Sequence, residues 1–200
     1  MLRIVQTGDP VLREIARPLS VDEIRSDATR QLIEEMRETM RAAPGVGLAA
    51  PQIGESIQLA VIEDRIDYTK DVSSEELAAR QRSPVDFHVI INPKISIVGE
   101  ATVDFFEGCL SVEGFVAIVR RAANVRVECL NERAEQITIT AQGWYARILQ
   151  HEIDHLKGTL YIDRMRSRTL STNRNMARHW AGVPIEEVLE LLALGPAANG

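Results

Sequence analysis

Residues 150–158 read Gln-His-Glu-Ile-Asp-His-Leu-Lys-Gly and contain the pattern His-Glu-x-x-His as His151, Glu152 and His155. On a helix, residues four apart lie one above the other on the same face, so two imidazoles can point at one metal ion. Glu152 lies about 100° round the helix from His151 and can reach a metal-bound water without ligating the metal. The pattern therefore offers two ligands and a general base. A histidine pair on a solvated helix face would also fit the spacing. The apolar neighbours Ile148, Leu149, Ile153 and Leu156 argue instead for a mostly buried helix. Buried imidazoles and carboxylates need partners, and a metal would satisfy both rings.

Two histidines do not complete a catalytic metal site, which takes three protein ligands and one open position. One metalloprotease pattern continues x-x-Gly-x-x-His. Gly158 fits its glycine, but the last position is Tyr161, which disfavours that class. Another class takes a glutamate from a later helix, and Glu186, Glu187 and Glu190 are available. The remaining candidate is upstream: Cys109, in a Glu-Gly-Cys-Leu-Ser turn after a strand, where Gly108 permits close backbone approach and Ser111 is small and polar. Most lone cysteines are core residues. Cys129, in the alternating stretch Val-Arg-Val-Glu-Cys-Leu-Asn, is read as core or sheet surface, with no chemical role.

A third element is Gly-Val-Gly-Leu-Ala-Ala-Pro-Gln at 45–52. Gly45, Gly47, Ala49 and Ala50 leave room for a ligand or another chain against the backbone. Gln52 supplies an amide that can donate to a carbonyl or an oxyanion. A helix-to-strand turn would need the glycines equally.

These residues must be placed by the rest of the 200-residue chain, a length suited to one domain with or without a tail. An apolar fraction of 45% is ordinary for a globular protein, and the net charge of −6 argues against a dedicated DNA binder or electrostatic membrane attachment. The sequence lacks an apolar run of the ~18 residues that a membrane helix requires. The N-terminus has neither a secretory h-region nor transit-peptide character, so a cytoplasmic location is expected. Two cysteines do not suggest a disulfide framework.

Asp9 and Pro10 predict a short N-terminal helix. Ile24, Ala28, Leu32, Ile33, Met36 and Met40 predict one long amphipathic helix from Asp22 to about Arg41. A strand follows at 56–63. Residues 64–84 are polar and read as a surface excursion with a short helix at 74–80. Five extended runs come next, the first carrying Pro93, which implies an edge or a bulge. The last two are joined by the charged hairpin tip Asn-Glu-Arg-Ala-Glu. The motif helix spans about 144–158, with Gly158 as its C-terminal cap. Antiparallel strands with helices set apart in sequence predict an α+β fold, antiparallel sheets packed around a central metal-binding helix. We expect a catalytic domain at 1–165 and a helical tail at 166–200. The tail region holds Arg164, Arg166, Arg168, Arg174 and Arg178 with no acidic residue between them, a stretch able to touch ribosomal RNA.

The three motifs, intact and in this order, resemble those of the peptide deformylase family. The stretches Val-Gln-Thr-Gly-Asp-Pro-Val-Leu-Arg-Glu-Ile-Ala near the N-terminus and Gly-Thr-Leu-Tyr-Ile-Asp-Arg-Met after the helix are similar to it as well, so the resemblance spans roughly residues 3–170. It departs at Arg120, where the family often has proline. It implies a deformylase-like α+β fold and removal of the N-formyl group from N-formylmethionyl nascent peptides, with release of formate. It makes Cys109 the third ligand beside His151 and His155, around one divalent metal. Iron(II) is the expected ion, with zinc, nickel and cobalt as alternatives. It assigns Glu152 as the proton shuttle, and the Gln52 amide and the Leu110 N–H as oxyanion donors. Gly45, Val46 and Gly47 would meet the substrate, the last through its backbone, while Val46, Trp144 and Ile148 would wall a methionine pocket. Asp154, Glu107 and Arg121 are expected behind the ligands. Two other functions stay open: a zinc peptidase with a downstream glutamate ligand, and a deformylase-like binding module without catalysis.

Overall fold

Buried strands of this chain are rich in branched apolar residues, and most of its helices start at a serine or threonine cap. The computed structural model, which describes residues 1–70 and 72–193, shows where these signals lead. The strands are β1 (Gly47–Ala49), β2 (Leu59–Asp64), β3 (Val85–Ile97), β4 (Thr102–Cys109), β5 (Val112–Ala122), β6 (Asn124–Leu130), β7 (Gln136–Gln142) and β8 (Ser171–Thr172). The helices are α1 (Val21–Arg25), α2 (Asp27–Ala42), α3 (Ser74–Ala79), α4 (Gly143–Leu156), α5 (Asn173–His179) and α6 (Ile185–Leu191). Two antiparallel sheets form, one ordered β1-β2-β3-β6-β7 and one ordered β4-β5-β8. This is the expected α+β class.

Helix α4 packs against strands of both sheets. Ile148, Leu149, Ile153 and Leu156 share a core with Ala60, Ile62, Ile90, Val125 and Val127. Burying each such aliphatic side chain is worth about 1.5–3 kcal/mol, so the motif helix is held from several sides. Cys129 lies in this same core, as expected. Gln142 gives the helix no side-chain cap, and the Trp144 N–H instead donates to the carbonyl of Arg80 at 2.9 Å. At the other end Gly158 takes φ +70°, and a Cβ there would lie 2.6 Å from the Arg13 carbonyl oxygen. Both the conformation and the contact require glycine.

Three local expectations are refined. The single helix from Asp22 to Arg41 is two. Ser26 is extended (ψ 153°), its hydroxyl donates to the Glu23 carbonyl at 2.7 Å, and it accepts the Thr29 N–H at 3.2 Å. A serine that bonds its own backbone neighbours competes with the helix ladder, and here it caps a new helix. Pro93 marks a bulge inside an interior strand: β3 slips register between Ile91 and Lys94, and Asn92 adopts φ +51°. The excursion at 64–84, of which residue 71 lies outside the described residues, carries α3 near the expected place. It stays on the surface, as expected, and its end is tied to β2 where Arg82 forks onto the buried Asp64 with two bonds of 2.8 Å. In the tail, α6 packs Val188 and Leu189 against Phe106 and Ile118. Residues 194–200 of the expected tail lie outside the described residues.

Candidate active site

Residues two apart on a strand face the same way. Glu107 and Cys109, at the end of β4, both turn to α4. Glu107 meets His151 Nδ1 at 3.0 Å, and Cys109 Sγ lies 3.3 Å from His155 Nε2. The ligand atoms of Cys109, His151 and His155 all fall within 4.8 Å of one another. Among the described residues this is the one cluster able to hold a metal ion. Glu186, Glu187 and Glu190 are solvent-exposed on α6 and are not part of it. That removes the glutamate-ligated peptidase: the helix carrying them is docked on the three-stranded sheet by its apolar face.

The donor set suits a divalent cation. A thiolate and two imidazoles converge, and each imidazole can be fixed by its second nitrogen. The Glu107 carboxylate does this for His151. His155 Nδ1 is buried and has no protein partner. Burial alone would lower the His151 pKa, but the neighbouring Cys109 and Glu107 outweigh it and hold the ring well above the ordinary value without metal. Burial and the charge of His151 push His155 well below it. The two rings thus stand in opposite electrostatic surroundings, and each must be free of a proton at its coordinating nitrogen to hold an ion.

Glu152 is 4% exposed and its Oε2 has no hydrogen-bond partner. Burial pushes its pKa up to about 7. A nearby cation favours the carboxylate form, which leaves Glu152 placed to take a proton and return it near neutral pH.

Gln52 follows β1 on a short 3-10 turn and is 2% exposed. Its Oε1 accepts the Ala49 N–H at 2.9 Å, which fixes the amide orientation. The Nε2 then points at Cys109 Sγ (3.5 Å) and Ser111 Oγ (3.3 Å). A donor is thereby held at the edge of the metal cluster. The Leu110 carbonyl accepts from Gln6 Nε2 at 2.9 Å, tying the β4–β5 turn to the N-terminal segment.

A cavity of about 940 Å³ opens over these groups. Gly45, Val46, Gly47, Gln52, Leu110, Trp144 and Ile148 all line it, together with Cys109, His151 and Glu152. His155 lies beneath, 1% exposed. A Cβ on Gly47 would sit 2.2 Å from Glu152 Oε1, so this glycine is required by close approach, not by an unusual dihedral.

Behind the ligands runs a buried ion network. Arg121 grips Glu107 with two bonds of 2.9 Å and also pairs with Asp154. Asp154, Glu107 and Arg121 are thus joined as expected. For Glu107 burial would raise the pKa, but Arg121 and His151 prevail and hold the carboxyl well below its ordinary range. Arg147 joins Glu107 at 2.6 Å and the Val119 carbonyl at 2.9 Å, and Arg164 forks onto Asp154 at 2.6 and 2.8 Å. Sequence reasoning missed Arg147, although it stands four residues before His151 on the same helix face. It also missed Tyr161, whose ring stacks on His151 at 6.3 Å between centroids. Arg164 opens the basic stretch that runs to Arg178. In the fold it serves Asp154, and Arg166 pairs with Asp104 at 3.0 Å.

The family described as polypeptide deformylase matches residues 1–171. Chloroplastic peptide deformylase 1A of Solanum lycopersicum is 49% identical over 173 residues, which cover 86% of this chain and 62% of that protein. The chain therefore spans less than two thirds of that plant relative. Peptide deformylase 1 of Streptomyces coelicolor is 44% identical over 98% of this chain and 89% of its own. A class I type b peptide deformylase from Acinetobacter baumannii, solved with Met-Ala-Ser bound, superposes with a TM-score of 0.74 at 33% identity, covering 82% of this chain and 98% of that one. On the match across residues 1–171 and these identities, the chain belongs to the polypeptide deformylase family.

Proposed function

We propose that this protein is a metal-dependent amide hydrolase that removes the N-formyl group from the N-terminal formyl-methionine of new polypeptides. The observation that carries the reading is the convergence of Cys109, His151 and His155 beside Glu152 and the Gln52 amide on one cavity. A divalent cation in such a donor set makes water nucleophilic near neutral pH and polarises a carbonyl. Glu152 accepts the proton of the attacking water and later delivers it to the peptide nitrogen as the formyl C–N bond breaks. Formate and a free amine result. The Gln52 Nε2–H and the Leu110 N–H donate to the oxygen that gains charge. Strand β1 is the outer strand of its sheet, so the Gly47 backbone is placed to pair with an extended substrate. Val46, Trp144 and Ile148 receive the methionine side chain. The bound Met-Ala-Ser of the Acinetobacter relative supports a product-like ligand of this kind.

We assign iron(II) as the working ion, because thiolate with imidazole accepts it; zinc, nickel and cobalt fit the same donors. The cytoplasm is the assigned compartment, where a reducing environment keeps Cys109 and Cys129 free. No helix among the described residues is long and apolar enough to cross a membrane. Residues 1–165 are taken as the catalytic unit and 166–200 as its tail. Arg168, Arg174 and Arg178 are exposed, and they are the residues proposed to touch ribosomal RNA. Ribosome co-sedimentation that survives their replacement by glutamine would refute that contact.

The test is formate release from formyl-Met-Ala-Ser by protein purified without oxygen and loaded with iron(II). Activity lost in both Glu152→Ala and Cys109→Ser is expected. An inert, metal-loaded wild type would overturn the hydrolase reading in favour of a binding module.

A further inference from the structure

The segment between β2 and β3 is locked to the start of α4. A Cβ on Gly143 would lie 2.5 Å from Gln81 Cβ and 2.8 Å from the Arg80 carbonyl oxygen. That same carbonyl accepts the Trp144 N–H at 2.9 Å. The Arg80 guanidinium stands over the Trp144 ring at 4.9 Å and over Phe105 at 5.7 Å, and pairs with Glu76 at 2.6 Å. Arg82, anchored on Asp64, reaches the Trp144 ring at 5.5 Å.

A second cavity, about 890 Å³, lies between α3, β4 and the tail helices. Arg80, Phe106 and Met176 line both this cavity and the active-site cavity. They stand at the boundary between the two. On the active-site side are Trp144 and Ile148, the wall assigned to the methionine side chain. On the far side are Val103, Phe105 and Trp180.

We infer that Arg80 is a specificity-determining residue: with Phe106 and Met176 it closes the far end of the side-chain pocket and sets the length of the first residue accepted. This rests on the proposed deformylase function. A linear side chain longer than methionine meets a guanidinium held by Glu76 and by two aromatic faces. Displacing it breaks the stacking and places methylenes against a charge, which offers them little. With the guanidinium gone, the two cavities join. Additional methylenes then meet the apolar lining beyond. Each buried methylene should favour binding about fourfold.

The experiment compares kcat/KM for formyl-peptides of the form X-Ala-Ser, with X norleucine or a linear side chain two methylenes longer. Wild type, Arg80→Ala and Met176→Ala are each checked for metal content and thermal unfolding. The ratio of long to short substrate should rise about tenfold or more in Arg80→Ala, through KM and not kcat. A rise of the same sign is expected in Met176→Ala, which keeps the test alive should the arginine variant fold poorly. Calorimetric binding of the two deformylated peptides should show the same change without turnover. Unchanged ratios in folded, metal-loaded variants of an active enzyme overturn this inference alone. A wild type that releases no formate overturns the function beneath it as well.

Discussion

Gly47→Ala tests how tightly Glu152, the proposed proton shuttle, is held. The added Cβ would lie 2.2 Å from Glu152 Oε1, 2.5 Å from Cδ and 2.7 Å from Cγ. Three atoms of one side chain are struck, so rotating the carboxylate tip cannot relieve the contact. Ordinary contact begins at 3.4 Å, so Glu152 or β1 must shift by about 1.2 Å, the shortfall from 2.2 Å. Neither moves freely. Glu152 is 4% exposed on a helix buried from several sides, and β1 is paired with β2 through Gly47, Leu48 and Ala49. Overpacking of this kind costs about 1–3 kcal/mol of stability, which the fold should survive. A misplacement of about 1 Å at reacting groups can cost about 100-fold in rate. The expected result is therefore a kcat/KM for formyl-Met-Ala-Ser lowered about 100-fold, with one metal per chain retained and a modest fall in Tm. A variant within threefold of wild type, with metal intact, would show that Glu152 does not occupy the position argued for it.

The other predictions concern the ligands, the donors and the network. Glu152→Gln should lower formate release by about 100-fold or more while metal content by elemental analysis stays at wild-type level; loss of metal would make it a structural residue instead. Cys109→Ser should lower metal occupancy and abolish the Tm increase that added iron(II) gives the wild type, and a fully loaded variant would remove Cys109 from the ligand set. Gln52→Ala should cost about 100-fold or more in kcat, a loss to be separated by CD from the structural effect of freeing the Ala49 N–H. Arg121→Ala leaves Glu107 and Asp154 short of a buried partner and should destabilise the fold by about 3–5 kcal/mol in urea unfolding. Because Arg121 and His151 hold the folded Glu107 carboxyl well below its ordinary value of 4.5, its stabilising contribution is full above that pH and fades as pH falls toward the lower, folded value. The gap between wild type and Arg121→Ala should accordingly be widest near neutral pH and narrow below about pH 4. A gap constant down to pH 3 would show that Glu107 is not the group that Arg121 sustains.

Much of the site could be read before the fold because its chemistry is local. The spacing of His151 and His155 is a property of any helix, and the apolar residues around them announced its burial. Legibility ended where partners come from different elements. No spacing rule brings Arg80 to Trp144, 64 residues later in the chain. The polar segment 64–84 reads as surface, and none of its described residues after Asp64 is buried, yet the pairing of Arg82 with Asp64 that ties its end to β2 has no local signature. The same holds for the first part of the basic stretch, since the counter-charges of Arg164 and Arg166 are Asp154 and Asp104, 10 and 62 residues away. The break at Ser26 was visible in principle, because a serine followed three residues later by a threonine N–H in need of a partner is a cap. The apolar period running through it concealed the stop.

Those same ion pairs explain why the metal cluster and the fold stand or fall together. From the outside inward the charges alternate: Arg164, Asp154, Arg121, Glu107, then His151. Arg164 is 47% exposed, whereas Arg121 and Glu107 are only 3% and 4% exposed. Charges so deeply placed are tolerated only when each meets its opposite, and breaking such a pair costs about 3–5 kcal/mol. Glu107 and Arg121 lie on the paired strands β4 and β5, while Asp154 and His151 lie on α4. A slip of one residue between β4 and β5 would turn Glu107 to the opposite face. Arg121, Arg147 and His151 would lose a partner in one step. The network therefore selects the strand register up to Gly108; there the pairing shifts, Cys109 meets Val112, and the end of the strand brings the thiol to the histidines. The ligand geometry is enforced by the energy of burying charge in the one arrangement that pairs it.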